Sequence, residues 1–183
     1  PVYLGKKYNF NKASTDIDNV ISDVESNTII ITTQHNSHAD LIIKALNSGK
    51  HVFTEKPLCL TSEELNKIQK LYENLSNDNI NKPILMVGFN RRFSPLTNEL
   101  KKHLEQSTEP KAFVYTCNTG SITKESWIHD PFIGGGRLLG EACHFVDLLL
   151  YLSQSEIKDI SLNSAFENKQ LSDIFTINIK FKN

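Results

Sequence analysis

Cysteine is scarce in this 183-residue chain: Cys59, Cys117 and Cys143 are the whole set. An odd, widely spaced trio argues against a disulfide framework and points to reduced thiols in a cytoplasm. No cysteine pair has the spacing of a metal site, and no Cys-x-x-Cys occurs. The sequence also lacks Gly-x-Ser-x-Gly, a P-loop and Gly-x-Gly-x-x-Gly. No apolar run approaches the roughly 20 residues of a membrane helix. The opening Pro1-Val2-Tyr3-Leu4-Gly5 has neither the charged nor the apolar region of a signal peptide. Nor is there an excess of one charge: 20 Lys and Arg face 21 Asp and Glu, net −1. That balance offers no electrostatic case for nucleic acid or an anionic membrane.

What is present is globular, with 39% hydrophobic and 22% charged residues. The length suits one domain, or one and a part, with a real core. Val2 to Phe10 reads as the last turns of an amphipathic helix. Asp16 to Glu25 reads as a short helix capped by Thr15 or Asp16. The β-branched run Thr28 to Thr33 predicts a strand buried on both faces. After the polar turn Gln34 to Ser37, Ser37-x-x-Asp40 resembles a capping box. It opens a helix with Ala39, Ile42, Ile43 and Leu46 on one face, closed by Gly49.

A strand at His51 to Thr54 follows. Thr61-x-x-Glu64 then caps a helix to about Leu75, whose stripe is Leu65, Ile68, Leu71, Tyr72 and Leu75. Ser76 to Lys82 is a polar loop, and Pro83 to Phe89 a third strand. Strands alternating with helices imply a parallel sheet with crossover helices. After Phe89 the rhythm changes. Ser94 and Pro95 open a helix, Lys111 to Asn118 reads as a strand, and Thr119 to Gly136 is irregular. An apolar helix is expected from about Leu138 to Leu152. Strands near 157–166 and 173–181 close the chain, suggesting an antiparallel α+β part.

Two stretches could carry chemistry. Gly49-Lys50-His51-Val52-Phe53-Thr54-Glu55-Lys56-Pro57 is a strand ending in opposite charges and a proline. Strand ends in open α/β sheets are where ligands bind, so Lys56 is either a solvated cap or a working group. The helix after Gly134-Gly135-Gly136 carries Glu141, His144, Asp147 and Tyr151 within an arc of roughly 120° at helical spacing. Its other side holds Ala142, Val146, Leu149 and Leu150. The stripe is either a satisfied structural network or a ligand-facing one. A histidine there suits proton transfer near neutral pH. His35 and His38 lack a third ligand, so zinc is not expected and no metal is assigned. Arg91-Arg92 reads as an anion contact or, more commonly, a solvated surface.

In order, these stretches resemble the glucose–fructose oxidoreductase, inositol dehydrogenase and MocA-like (Gfo/Idh/MocA) family. Thr33-Gln34-His35-Asn36-Ser37-His38 is similar to its T-P-x-x-x-H loop, with Gln34 in place of proline. Ala45 to Pro57 is similar to its A-L-x-x-G-K-H-V-x-x-E-K-P signature. Gly88-Phe89-Asn90-Arg91-Arg92-Phe93 resembles the approach to its second domain. Trp127 to Pro131, Gly134 to Arg137 and Gly140 to Asp147 resemble its G-G-G to H-x-x-D helix.

The resemblance implies an α/β fold: a partial Rossmann-type parallel sheet in 1–89, then a truncated α+β substrate and oligomerisation domain in 90–183. It implies an NAD- or NADP-dependent oxidoreductase moving hydride at a hydroxyl of a sugar, nucleotide sugar or cyclitol, and a homo-oligomer. The implied catalytic residues are Lys56, His144 and Glu141, the last standing beside Gly140, where the family has a companion aspartate. Cofactor contacts would come from Thr33, Gln34, His35, His38, Glu55, Lys56 and Pro57. Substrate contacts would come from Asn90, Arg91, Asn118, Trp127, Arg137 and Asp147. The Gly-Glu-x-Cys-His-Phe variant resembles a subgroup joined to an alcohol-dehydrogenase-like module and linked with surface-polysaccharide synthesis.

The family's opening strand and glycine-rich turn, which hold the pyrophosphate, have no counterpart in the sequence. The expectation is therefore an internal fragment whose Thr28–Thr33 strand is an apolar edge open to pairing with another copy. The alternatives are a catalytically inert fragment or pseudoenzyme that self-associates or binds sugar, and an unrelated α/β fold.

Overall fold

The computed structural model describes residues 2–75, 82–123, 125–165 and 172–182. Helices α1 (Val2–Lys7) and α2 (Ile17–Ser22) lead in. Asp16 caps α2 by accepting from Asp18 and Asn19 N–H groups. The helix ends at Ser22, short of Glu25, because Asp23 already adopts an extended backbone.

A three-stranded parallel sheet follows, in the order β1 (Thr28–Ile31), β2 (His51–Thr54), β3 (Leu85–Val87). Its register runs Ile31↔Thr54 and Thr54↔Val87. Crossover helices α3 (His38–Asn47) and α4 (Ser62–Asn74) cover one face. Ile31, Ala39, Ile42, Ala45, Leu46, Val52 and Ile68 form the core there, each at most 2% exposed.

The expectation that β1 is buried on both faces fails. Its burial alternates, and Ile30 is 68% exposed. A period of two sends Ile29 and Ile31 to the helices, while Thr28 and Ile30 face away. Met86 and Ile84 are exposed as well. The α4 stripe is likewise narrower than its sequence suggests: Ile68 is buried, whereas Leu65 is 45% exposed.

Local signals act as expected at other ends. Thr61 accepts from Glu64 N–H while the Glu64 carboxylate accepts from Thr61 N–H, a complete capping box. Gly49 closes α3 at φ +70°, where a side chain is strained. The Ser37 box does not form. A short 3₁₀ turn, His35–Ser37, precedes α3, and Ser37 Oγ donates to the Gln34 carbonyl at 2.8 Å instead.

A second 3₁₀ turn (Asn90–Phe93) leads into α5 (Pro95–Glu105), with Pro95 at its start. The strand expected over Lys111 to Asn118 is not formed. Strands β4 (Ile157–Ser164) and β5 (Phe175–Phe181) pair antiparallel with each other, and residues 111–118 enter no ladder. Val114 is 95% exposed. A strand pattern without a neighbour to bond gains nothing from extending.

The apolar helix is a composite: a π-helical turn, Leu138–Ala142, runs into α6 (Cys143–Ser153). It is not uniformly buried. Ala142, Asp147, Leu148 and Leu152 are covered, while Val146, Leu149 and Leu150 are half-buried. Residues 76–81 of the expected polar loop and the end of the 157–166 strand lie outside the described residues. No helix among the described residues is long and apolar enough to cross a membrane.

Candidate functional site

Parallel strands bring the loops that follow them to one end of the sheet. Three such loops matter here: Thr33–Ser37 after β1, Glu55–Pro57 after β2, and Gly88–Asn90 after β3. Thr33 and Gln34 are exposed, and Thr33 Oγ1 lies 2.6 Å from Ser37 Oγ. His38 is fully buried. Its Nδ1 lies 2.7 Å from the Pro57 carbonyl and its Nε2 3.1 Å from the Thr33 carbonyl. The ring therefore ties the first two loops together and presents no free nitrogen to a ligand.

Glu55 packs against Gly88. A Cβ there would lie 3.3 Å from its carboxylate. Lys56 is half-buried, and its Nζ donates to the Gly140 carbonyl, 84 residues on.

The opposing wall is the segment Ile133–Tyr151. Its entrance is held by Asp130. The Asp130 carbonyl accepts from Gly134 and Gly135 N–H groups at 2.9 Å, and Oδ1 accepts from Phe132 at 2.8 Å. Gly134 passes so close to Ile128 that a Cβ would sit 2.4 Å from its Cα. Only glycine fits such an approach. The strap is bonded to the first loop: Asn36 N–H donates to Ile133 carbonyl at 3.1 Å, and His35 Nδ1 lies 2.8 Å from Gly134 carbonyl. Trp127 meets the His35 ring edge-on at 4.8 Å.

The four polar groups expected on one helix arc go to different partners. The π turn breaks the uniform 100° spacing on which that arc rests. Glu141 Oε2 accepts from Arg137 Nε and Nη2, each at 3.0 Å. Asp147 is 8% exposed and takes a two-point contact from Arg92, with Nε to Oδ2 at 3.0 Å. Tyr151 donates to Asn98 at 2.8 Å. His144 lies beside Phe89, and its buried Nδ1 has no partner among the described residues. Burial, then the Lys56 and Arg91 charges, push its pKa below the ordinary histidine value. It is therefore neutral at pH 7 and able to accept a proton.

Sequence reasoning overlooked Arg92 as a partner. A basic residue preceding an acidic one on an apolar helix was the available signal. Arg91 is exposed and stacks at 4.8 Å over Phe145, whose ring stacks on Tyr115. Asn90 is exposed beside it. Asn118 and Arg137 line an open cavity of about 660 Å³, together with His129 and Asp173. Arg137 is buried and also donates to the Gly120 carbonyl at 2.6 Å. Asp173 Oδ1 is buried without a partner among the described residues. Cys59 and Cys143 are pushed up to about 11, chiefly by burial, which makes both poor nucleophiles near neutrality. Among the described residues no cluster could hold a metal ion.

Residues 4–79 match the model of an oxidoreductase family with an NAD-binding Rossmann fold. Over 161 residues the chain is 30% identical to scyllo-inositol 2-dehydrogenase (NAD(+)) of Bacillus subtilis, covering 86% of this chain and 44% of that protein. Over 154 residues it is 28% identical to levoglucosan dehydrogenase of Pseudarthrobacter phenanthrenivorans, covering 80% and 38%. It therefore spans less than half the length of these relatives. The crystal structure of an NAD-binding protein from Listeria innocua superposes at TM-score 0.77 with 30% identity, over 98% of this chain and 52% of that one. A levoglucosan dehydrogenase in complex with NADH and levoglucosan shares the fold at TM-score 0.80 and 23% identity, over 99% and 52%. Residues 4–79 thus match the Gfo/Idh/MocA oxidoreductase family, and the whole chain, with its E-K-P strand end and glycine strap, shares the fold of these relatives.

Proposed function

We propose that the protein is an NAD(P)-dependent dehydrogenase acting at a hydroxyl of a sugar, nucleotide sugar or cyclitol, with Lys56 and His144 at the reacting centre. One observation carries this reading. The Lys56 ammonium, at a strand end, reaches across to the turn that opens the His144 helix. The exposed Thr33 and Gln34, with Glu55 and Lys56, border the end of the sheet where a dinucleotide lies in open α/β folds. The nicotinamide, when bound, supplies the hydride acceptor or donor.

Lys56 places a positive charge where oxygen becomes negative, lowering the hydroxyl's pKa and stabilising the alkoxide. Neutral His144 takes the hydroxyl proton as the carbinol carbon becomes a carbonyl carbon, and returns it in the reverse direction. Arg91 and Asn90 stand near His144 as candidate contacts for the substrate's other hydroxyls. In the adjoining cavity, Asn118, Arg137 and the unpartnered Asp173 Oδ1 offer donors and acceptors to a polyol. The two relatives, a levoglucosan dehydrogenase and a scyllo-inositol 2-dehydrogenase, support that substrate class. We place the junction between dinucleotide and substrate domains after Phe89, where parallel pairing ends.

Lys56→Ala in the full protein tests the reading. Turnover should fall about 10²–10³-fold while NAD(H) binding and the fold persist. Near-wild-type turnover would overturn it. A second reading, sugar binding without redox chemistry, is favoured by Gly140, which stands where the resemblance implies a companion carboxylate. Titration with NAD(H) and NADP(H) separates the two, since an inert protein binds neither.

A further inference from the structure

Three features meet at Gly140. The buried His35 ring is anchored at Nδ1 by the Gly134 carbonyl, 2.8 Å away, and flanked by Trp127. That contact fixes the tautomer: a carbonyl only accepts, so Nδ1 carries the hydrogen. The Cε1 edge of the ring faces Gly140, where a Cβ would lie 3.1 Å from Cε1 and 3.7 Å from Nδ1. The first distance is tighter than ordinary van der Waals contact, so imidazole and glycine are matched in size. The Gly140 carbonyl, in turn, accepts the hydrogen bond of Lys56 Nζ.

We propose that His35 and Gly140 form a matched pair of positioning residues that sets where the Lys56 ammonium sits. The proposal rests on Lys56 being a reacting group, and it assigns His35 a task other than contacting the cofactor. The physical chain is short. His35 is tethered at Nδ1 to the Gly134 carbonyl and packed edge-on against Trp127, so its room to move is limited. A methyl group at position 140 therefore moves the π turn, and with it the carbonyl that holds Lys56. The π turn is the partner left to move, because the His35 ring on the other side of the contact is tethered by the Gly134 carbonyl. A misplacement of about 1 Å at a reacting group can cost about 10²-fold in rate, so a few tenths of an ångström at this carbonyl matter. The pair also accounts for a glycine inside a helical segment, where glycine is otherwise disfavoured.

The test needs no substrate. In the full protein, the rate of acetylation of Lys56 by acetic anhydride is read by mass spectrometry, with exposed Lys44 as internal reference. Gly140→Ala should raise the Lys56 rate about fivefold, and His35→Ala should restore it to within about twofold of wild type in the double variant, a strong departure from additivity. An unchanged Lys56 rate in Gly140→Ala, or a double variant equal to the product of the singles, would overturn the proposal. Should Gly140→Ala not fold, recovery of folding in His35→Ala/Gly140→Ala supports the pair, and a double variant that also fails to fold overturns it. A purely structural role would lower the Tm without changing Lys56 reactivity relative to Lys44. Loss of turnover in Lys56→Ala reports on the redox reading separately, so the two can fail independently.

Discussion

The two walls of the site are built by different physics. The strand-end wall, from Thr28 to Pro57, hangs on an apolar core whose members are at most 2% exposed, with one clamp, His38, tying its loops. The helix wall, from Gly134 to Tyr151, has few fully buried apolar residues. It is held by polar pairs reaching far along the chain: Arg92 to Asp147, Tyr151 to Asn98, Lys56 to Gly140. The first wall is rigid by packing and non-directional. The second is specified by direction and distance, so it can be placed finely but is sensitive to the loss of a single partner. A reacting centre assembled between them takes its stiffness from one and its adjustment from the other.

This contrast predicts where substitutions hurt. Removing Asp147 leaves the Arg92 guanidinium, about a third exposed, without its carboxylate. Breaking a fully buried pair costs about 3–5 kcal/mol, and partial exposure lowers that to about 2 kcal/mol here. Asp147→Ala should therefore lower the Tm of the full protein by about 4–8 °C, measured by calorimetry. Thr61→Ala removes one half of the capping box of α4, the helix that packs Ile68 into the core behind the strand-end wall. Its expected cost is about 1 kcal/mol, because the apolar core persists without it. If Thr61→Ala proves as costly as Asp147→Ala, the two walls are not held differently and the contrast is wrong.

The same contrast explains what could be read from the sequence. The strand-end wall was legible because its signals are local: β-branched runs, the Thr61 box, Gly49 at the end of α3, and a charged pair with proline where β2 stops. Lys56 could be singled out for that reason. The error at Ser37 is also local, since the hydroxyl had two nearby partners and took the Gln34 carbonyl. The helix wall was legible only in composition. Nothing in the residues themselves announces a π turn, and its extra residue undid the arc drawn at 100° per residue. Nor can periodicity reveal that Arg92, 55 residues before Asp147, is its partner. Residues 111–118 carry a strand pattern without a ladder to join, and pairing partners are a tertiary fact.

The smallest effect probes the seam between the walls. Burial, Lys56 and Arg91 each depress the His144 pKa, in that order of size, while Glu55 and Asp147 oppose them. A histidine whose folded pKa lies below its unfolded value of about 6.5 favours the fold in its neutral form. That contribution is fully present above about pH 6.5 and is lost as pH falls through the folded value. Catalysis follows the same sign: His144 accepts a proton only when neutral, so the oxidation rate should fall on the acid side. Arg91→Ala removes one depressing charge, at an exposed position where screening keeps its influence small. The acid limb of the pH–rate profile should then move slightly to higher pH. The shift should shrink as salt is added. An acid limb that stays put at low salt, with His144 titrating unchanged by NMR, would mean that Arg91 does not act across the seam and that the helix wall alone sets the histidine.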